Sequence, residues 1–243
     1  MTVLVTGGSK GIGRRIAVRL AADGGTAFIN YHSDDEAAEE AVEAVETAGG
    51  EGHLVKGNVS TPEGAQAVVD RVTEETDNLE QVVHCAVDPY STPVLDADLD
   101  RFTDATRLNG VALLYIVQAA LPLLNDGSSV FFLSSRGSDT VVPGYAAIGT
   151  AKAFGESLVR YLAKELAPKG IRANTVAAGP LDTEAIHEVL DDPEERLAAA
   201  AEANPSGRGL QFEDVTEAVA WLSSPEAKMI NGQILFVDGG LYV

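Results

Sequence analysis

The stretch Thr6-Gly7-Gly8-Ser9-Lys10-Gly11-Ile12-Gly13 decides the fold of this 243-residue chain. It follows an apolar run, Thr2–Val5, that is typical of a buried strand, and a helical pattern begins where it ends. Glycines in such a turn let the backbone approach a pyrophosphate, while the helix N-terminus offers free N–H groups and a positive dipole end. The strand–turn–helix context therefore predicts a loop that binds a dinucleotide.

Apolar strand-like runs alternate with helical periodicity along the rest of the chain, which predicts βαβ units and a parallel sheet. We expect strands at Thr2–Val5, Ala27–Tyr31, Gly52–Lys56, Gln81–Cys85, Ser129–Leu133, Arg172–Ala177 and Ile234–Val237. We expect helices at Gly13–Ala22, Asp35–Ala48, Pro62–Glu75, Leu99–Leu124, Gly144–Ala167 and Phe212–Leu222. The predicted fold class is α/β: a doubly wound parallel sheet of about seven strands, flanked by helices in three layers, with residues 1–243 as one domain.

An irregular stretch from about Gly179 to Gly209 follows the sixth predicted strand and is interrupted by an Ala- and Glu-rich helix near Asp192–Ala203. A long excursion at this place in a doubly wound sheet usually covers a ligand. We therefore expect this stretch to lie over the binding site.

The charge of the chain excludes several classes of partner. Thirty-seven acidic residues oppose seventeen basic ones, a net charge of −20 that repels nucleic acids and anionic membranes. The single cysteine, Cys85, excludes an intramolecular disulfide, and the four His residues lack metal-ligand spacing, so no metal is expected. We find no signal peptide or transmembrane span and expect a cytoplasmic protein.

The end of the second predicted strand, Asn30-Tyr31-His32-Ser33, bears on the choice of dinucleotide. An acidic residue there would bind the ribose 2′-hydroxyl and favour NAD, whereas this strand ends in neutral polar residues. Lys10 and Arg14 are close enough in sequence to the loop to meet a 2′-phosphate, although Asp34 and Asp35 follow. We therefore predict NADP(H), bound by Gly7, Ser9, Lys10, Gly11, Ile12, Gly13, Asn30, Tyr31 and Ser33, with Asn58 and Val59 flanking the adenine.

Further motifs carry a family resemblance. They are the 6–13 loop, Asn109 in a long helix, Ser134-Ser135 at a strand end, Lys152, Gly179-Pro180 followed by Thr183, and Val237-Asp238-Gly239-Gly240. Together they resemble the short-chain dehydrogenases/reductases over essentially the whole chain, which implies a Rossmann-like fold and hydride transfer. The resemblance implies that Lys152 binds the nicotinamide ribose and that Asn109 serves a backbone-and-water relay. It also implies a carbonyl-binding role for Ser134, and contacts to the diphosphate or carboxamide from Gly179, Leu181 and Thr183.

One departure from that family pattern carries functional information. Most members have Tyr four residues before the Lys, but this chain has Ile148 there, and Tyr145 lies seven residues before Lys152. Seven residues at about 100° each return a side chain to within about 20° of the same helix face, about 10 Å away. The Tyr-(six residues)-Lys spacing and Ser-Ser-x-Gly-Ser at 134–138 are similar to the NADPH-dependent enoyl-acyl-carrier-protein reductases. His84-Cys85-Ala86 and Arg136 depart from that branch.

These residues suit reduction of an enoyl thioester, because hydride addition leaves an enolate oxygen that Tyr145 can hydrogen-bond while Lys152 favours ionisation of the phenol. A carbonyl reductase that uses Ser134 with the displaced Tyr145 is the alternative enzyme. A third alternative, suggested by Ile148, is a dinucleotide-binding sensor without turnover. The helices Leu99–Leu124 and Gly144–Ala167 carry apolar residues on more than one face, so a homotetramer or dimer is expected.

Overall fold

A computed structural model describes residues 1–242, which form one seven-stranded sheet. The strands are β1 (Thr2–Thr6), β2 (Thr26–Tyr31), β3 (Glu51–Lys56), β4 (Leu79–His84), β5 (Leu124–Ser135), β6 (Arg172–Ala178) and β7 (Ile234–Val237). The helices are α1 (Gly11–Ala21), α2 (Asp35–Thr47), α3 (Pro62–Thr73), α4 (Leu99–Thr106), α5 (Ala112–Ala120), α6 (Ala146–Leu166), α7 (Glu184–Val189), α8 (Pro193–Ala203) and α9 (Phe212–Ser223).

The strand order is β3-β2-β1-β4-β5-β6-β7, and each neighbouring pair is parallel. The chain therefore runs outward from β1 in one direction and then outward from β4 in the other. Between β1 and β4 the connections leave in opposite directions, which opens a crevice at the carboxyl ends of these strands. The predicted fold class, a Rossmann-like doubly wound sheet, is confirmed.

Two apolar cores cover the two faces of the sheet. One joins α1, α2 and α9 to the sheet through side chains such as Ile16, Val45 and Val219. The other joins α3, α5 and α6 through side chains such as Val68, Ile116 and Val159. Strands of a sheet covered on both faces are buried along their length, and the burial of β1 and β6 fits this rule. In β6 the buried residues include the polar Arg172, Asn174 and Thr175.

Local sequence explains several helix starts. Asp34 accepts a hydrogen bond from the Ala37 N–H at the start of α2, and Thr61 accepts one from the Gly64 N–H ahead of α3. Both are side-chain caps that satisfy an otherwise free amide of the first turn. Pro62 at the first position of α3 adds the fixed φ that a helix start favours.

The structure differs from the sequence prediction in three elements. The predicted helix Leu99–Leu124 is divided by a π-helical turn at Arg107–Val111 and ends in a 3₁₀ turn at Leu121–Leu123. Strand β5 is longer than predicted, and α7 was missed because its six residues are too few for a periodic signal.

The helical segment Leu99–Leu123 also has the length and apolar composition of a membrane span. Leu113 and Ile116 of this segment are fully buried in the core that covers one face of the sheet. Core helices meet the same length and composition test, so the segment is weak evidence for a span.

Candidate active site

The glycine loop between β1 and α1 is shaped by the absence of side chains. Gly7 and Gly11 have φ values of +65° and +50°, in the left-handed region that favours glycine. A Cβ on Gly13 would lie 2.1 Å from the Gly7 carbonyl oxygen, and one on Gly7 would lie 2.7 Å from the Ala86 Cα. The helix can therefore approach the loop, and the loop can approach the end of β4, only because these residues are glycines.

The N-terminus of α1 suits an anion. In the described part of the chain no side chain caps this helix and no acidic residue lies in its first turn. Thr183, which caps α7 through the Ile186 N–H, lies close to Gly11, within 3.8 Å of a Cβ built there. An uncapped helix N-terminus in a cradle of glycines fits the diphosphate of a dinucleotide.

Both cations of the loop are already paired. The Lys10 ammonium lies 2.7 Å from a carboxylate oxygen of Asp34 and 2.8 Å from one of Glu184, and these hydrogen bonds raise the pKa of Lys10. Arg14 donates to Glu40 and to the Ser9 and Ala37 carbonyls. A 2′-phosphate would therefore compete with carboxylates for either cation.

The neutral residues at the end of β2 have structural partners. The side-chain nitrogen of the buried Asn30 donates to the Val55 and Gly57 carbonyls, so a cofactor contact through the side-chain oxygen stays a prediction. The Tyr31 hydroxyl donates to Asp35. Ser33 is exposed at the strand end, where a contact to the adenosine ribose stays a prediction.

Asn58 and Val59, which are predicted to flank the adenine, differ in their surroundings. The Val59 side chain is buried in the core, so its contact with adenine would be through the backbone. The Asn58 side chain accepts a hydrogen bond from the Ser60 N–H within the loop after β3. Both roles stay predictions.

Three consecutive residues at the end of β5, 133 to 135, each form a hydrogen bond with α6 or with its N-cap residue, Tyr145. The Leu133 carbonyl accepts from the Lys152 ammonium at 2.7 Å. The Ser134 hydroxyl donates to Glu156 at 2.5 Å, and the Ser135 hydroxyl lies 3.2 Å from the Tyr145 hydroxyl. Ser134 is thus turned toward the helix, and the serine beside the phenol is Ser135.

This result corrects the assignment of Ser134 as the carbonyl-binding serine. Side chains alternate along a strand, so Ser134 shares the α6 face with Phe132, whereas Ser135 lies on the other side at the strand end. Phe132 packs in the core beneath α6, consistent with that alternation. The helical spacing of Lys152 and Glu156 would have found Glu156, because residues four apart share a helix face.

The Tyr145 ring is held by two glycines. A Cβ on Gly137 would lie 2.5 Å from ring carbons of Tyr145, and one on Gly149 would lie 2.3 Å from the Gly137 carbonyl oxygen. The Thr92 N–H donates to the Gly144 carbonyl beside the tyrosine, which brings the loop after β4 against it. Ile148 is 1% exposed, so its side chain is directed into the protein and offers no polar group.

Burial shifts the pKa of two of the predicted catalytic groups, Lys152 and Tyr145. It lowers the pKa of Lys152 from 10.5 to about 8. It raises the pKa of the Tyr145 phenol, and the hydrogen bond with Ser135 opposes that shift. Tyr145 is therefore a neutral hydrogen-bond donor near pH 7, contrary to the expectation that Lys152 would favour its ionisation.

Asn109 lies in the π-helical turn that divides the long helix, and it is fully buried. Its amide accepts from the Asp88 N–H and donates to the Asp88 carbonyl. The side chain thus anchors the loop after β4, and the predicted relay would depend on the Asn109 backbone.

His84 and Cys85 are neutral groups beside this turn. Burial, together with Lys152, lowers the pKa of His84 to about 3. Its Nε2 is 3.1 Å from the Leu108 carbonyl, which can only accept, so Nδ1 accepts from the Thr6 hydroxyl at 2.7 Å. Burial raises the pKa of the Cys85 thiol to about 12, so it stays protonated.

Arg136, which departs from the enoyl reductase pattern, is paired with a residue after β7. Its guanidinium donates to Asp238 at 3.0 Å and lies over the Phe236 ring, 3.8 Å from the centroid. Gly179 packs on the same Asp238, and Leu181 is buried in the core. Within residues 1–242, no group of three or more His, Cys, Asp or Glu residues could hold a metal.

Comparison with known proteins adds three findings. A family model described as enoyl-(acyl carrier protein) reductase matches residues 7–242. The 1-cyclohexenylcarbonyl-CoA reductase of Streptomyces collinus is 34% identical over 99% of this chain and 86% of its own length. The 3-oxoacyl-[acyl-carrier-protein] reductase of Staphylococcus aureus is 30% identical over 100% of this chain and 98% of its own length.

A solved structure has the same fold as this chain. A short-chain dehydrogenase from Burkholderia cenocepacia, in complex with NADP, superposes with a TM-score of 0.90. It is 30% identical to this chain, and the match covers 99% of this chain and 97% of the other.

Proposed function

The chain belongs to the short-chain dehydrogenase/reductase superfamily, and on that premise we propose that it is an NADPH-dependent reductase of α,β-unsaturated thioesters. It is an oxidoreductase, and it binds NADP(H). The glycine loop and the uncapped α1 N-terminus fit the cofactor diphosphate, and the related Burkholderia cenocepacia dehydrogenase holds NADP. Preference for NADPH over NADH is part of the proposal.

The position of the phenol carries the proposal. Tyr145 lies at the start of α6, its hydroxyl 3.2 Å from that of Ser135, while Ile148 occupies the position one turn closer to Lys152. The phenol is thus displaced from the lysine along the helix, as the enoyl reductase spacing implies. The similarity to 1-cyclohexenylcarbonyl-CoA reductase supports the same substrate class.

The chemistry assigns a role to each group. A bound reduced nicotinamide supplies the hydride, which would form a C–H bond at the β-carbon of the thioester as the C=C electron pair moves toward the thioester oxygen. Tyr145 would donate a hydrogen bond to that oxygen as it gains negative charge, with Ser135 holding the phenol in place. The α-carbon then takes a proton from Tyr145 or from water. Lys152 would bind ribose hydroxyls of the cofactor.

A carbonyl reductase is the second candidate, and one observation favours it. The hydroxyls of Ser135 and Tyr145 are directed at each other, so both could hydrogen-bond one ketone oxygen. The Staphylococcus aureus relative is a 3-oxoacyl reductase by name. In this alternative the hydride would add to the carbonyl carbon and Tyr145 would protonate the oxygen.

The discriminating experiment uses two thioesters. Purified protein is mixed with NADPH and either crotonyl-CoA or acetoacetyl-CoA, and NADPH oxidation is followed against a sample without thioester. Oxidation with crotonyl-CoA supports the proposal, and oxidation with acetoacetyl-CoA alone replaces it with the carbonyl reductase. Binding of NADPH without turnover of either would favour the third alternative, a sensor.

Three further properties belong to the proposal. We propose that residues 1–243 act as one catalytic domain, in the cytoplasm, as a homotetramer or dimer. Exposed aromatic side chains on α6, Phe154 and Tyr161, support a subunit contact there. Light scattering at micromolar protein tests the assembly, and a monomer mass would contradict it.

A further inference from the structure

Glu156 is a buried carboxylate that the proposed reaction does not use. It lies on α6 one turn after Lys152, is 7% exposed, and accepts a hydrogen bond from the Ser134 hydroxyl. Within residues 1–242, Glu156 forms no ion pair with an N···O distance of 4.0 Å or less. A buried carboxylate with one neutral donor is costly unless an opposite charge lies nearby.

Lys152 is the opposite charge on the same helix face. It is 6% exposed, donates to the Leu133 carbonyl, and its ammonium lies 4.7 Å from the centroid of the Phe132 ring. Side chains four residues apart on a helix have Cβ atoms about 5–6 Å apart. The two charges are thus buried one turn apart, each tied to one of two consecutive residues of β5.

The other titratable groups around Lys152 are neutral near pH 7. His84 and Cys85, at the end of β4, have pKa values of about 3 and about 12. The pKa of Tyr145 is raised by burial. Of these groups and Glu156, it is therefore the Glu156 carboxylate that can supply a negative charge to Lys152.

We propose that Glu156 is the buried counter-charge of Lys152, held in place by Ser134, and that it keeps the ammonium protonated at the cofactor site. Glu156 is then a positioning residue, since it acts through Lys152 and not on the substrate. This inference rests on the cofactor-binding role proposed for Lys152. A nearby opposite charge raises the pKa of an ammonium, and Glu156 acts on Lys152 in this direction.

Nuclear magnetic resonance can titrate Lys152 directly. The chain has six lysines, so lysine labelled with carbon-13 at the ε position gives few signals, and Lys152→Met identifies the one of interest. We expect Glu156→Gln to lower the pKa of Lys152 by about 1 or more, the lower end of the range for a lost counter-charge. An unchanged pKa in a folded variant would overturn the proposal.

Two variants control for the loss of a charge and for structure. Glu165→Gln removes a carboxylate from the exposed face of the same helix and should leave the Lys152 pKa unchanged. Glu156→Asp keeps the charge and should restore most of the wild-type pKa, which a purely structural role would not predict. If Glu156→Gln does not fold, Glu156→Met removes the charge with an apolar side chain of similar length, and the same fall is expected.

The titration needs neither cofactor nor thioester. If the protein reduces ketones instead of enoyl thioesters, the expected pKa changes are unaffected. If the Lys152 pKa does not respond to Glu156, the enoyl proposal is unaffected, because the position of the Tyr145 phenol carries it. The two failures are therefore distinguishable.

Discussion

Lys10 and Lys152, which we both propose as cofactor-binding residues, lie in opposite surroundings. Lys10 has 38% of its side chain exposed, contacts carboxylates of Asp34 and Glu184, and has a raised pKa. Lys152 is 6% exposed, donates a hydrogen bond to the Leu133 carbonyl, and has a pKa lowered to about 8. Ion pairing therefore determines the direction of the pKa shift at Lys10, and burial determines it at Lys152.

The difference separates two regions of the site. What we name the buried cluster comprises the buried Lys152 and Glu156 with the half-buried Ser135 and Tyr145. The exposed cluster comprises the exposed Glu40 and Glu184 with the half-buried Lys10, Arg14 and Asp34. Exposed ion pairs contribute about 0–1 kcal/mol each, so the carboxylates can yield Lys10 to a phosphate at small cost. Buried groups interact more strongly, so substitutions there should have the larger effects.

The largest expected effect is at the phenol of the buried cluster. Tyr145→Phe should lower turnover by about 100-fold or more, the scale for one lost donor to a developing oxyanion. NADPH affinity should change little, because the glycine loop and Lys152 hold the cofactor. Steady-state kinetics and a fluorescence titration of NADPH measure the two quantities.

Tyr161→Phe is the matched control, since Tyr161 is 68% exposed on the same helix. It should leave turnover unchanged. Full activity of Tyr145→Phe on both thioesters would remove Tyr145 from the mechanism and leave Ser135 as the nearest hydroxyl.

The pH dependence of NADPH affinity tests the lowered pKa in the buried cluster. Lys152 is positive below its pKa and neutral above it, so affinity should fall as pH rises past about 8. Where binding requires the ammonium, the dissociation constant rises up to about tenfold per pH unit above that pKa. Fluorescence titration of NADPH between about pH 7 and about pH 9.5 measures this fall.

Lys152→Met should bind NADPH more weakly and without that pH dependence. A wild-type affinity that stays constant across the range would show that the charge of Lys152 does not contribute to binding.

A smaller effect is expected in the exposed cluster. Lys10→Gln should weaken NADPH binding by about tenfold, equal to about 1.4 kcal/mol, and leave NADH binding unchanged. The reason is that only NADPH carries the 2′-phosphate for which Lys10 would leave Asp34 and Glu184. Lys56→Gln, which removes another exposed ion-paired lysine, is the control. Equal losses for both cofactors would contradict the role.

Lys10 is a better test of cofactor choice than Asn30. Asn30→Asp would place a carboxylate against the Val55 and Gly57 carbonyls, where the amide now donates. The variant would be destabilised by the buried, unpaired charge, and a change in cofactor preference could not be separated from that loss.

The smallest effect concerns the surface as a whole. The net charge of −20 gives a repulsion that salt screens, because the Debye length falls from about 30 Å at 0.01 M to about 8 Å at 0.15 M. Adding salt should therefore raise the melting temperature, by about 2–4 °C for each 1 kcal/mol of repulsion relieved. Calorimetry at increasing NaCl concentration measures the melting temperature. A fall in melting temperature would mean that exposed ion pairs outweigh the repulsion.

The sequence by itself determined the alternation of strands and helices, the glycine loop and the lysine–tyrosine spacing. Each of these is local: a period of 2 or 3.6, or a turn that only glycine permits. Local patterns also indicated the seven strands, and their order in the structure is that of the predicted doubly wound sheet.

Only the tertiary structure decided which groups meet. Ser134 forms a hydrogen bond with Glu156, and Ser135 forms one with Tyr145. Lys10 forms an ion pair with Glu184, and Arg136 forms one with Asp238. Lys10 and Glu184 are 174 residues apart, and Arg136 and Asp238 are 102 apart. Such contacts, and the burial that shifts the pKa of Lys152, arise when distant segments pack together, and a single sequence records no local signal of that packing.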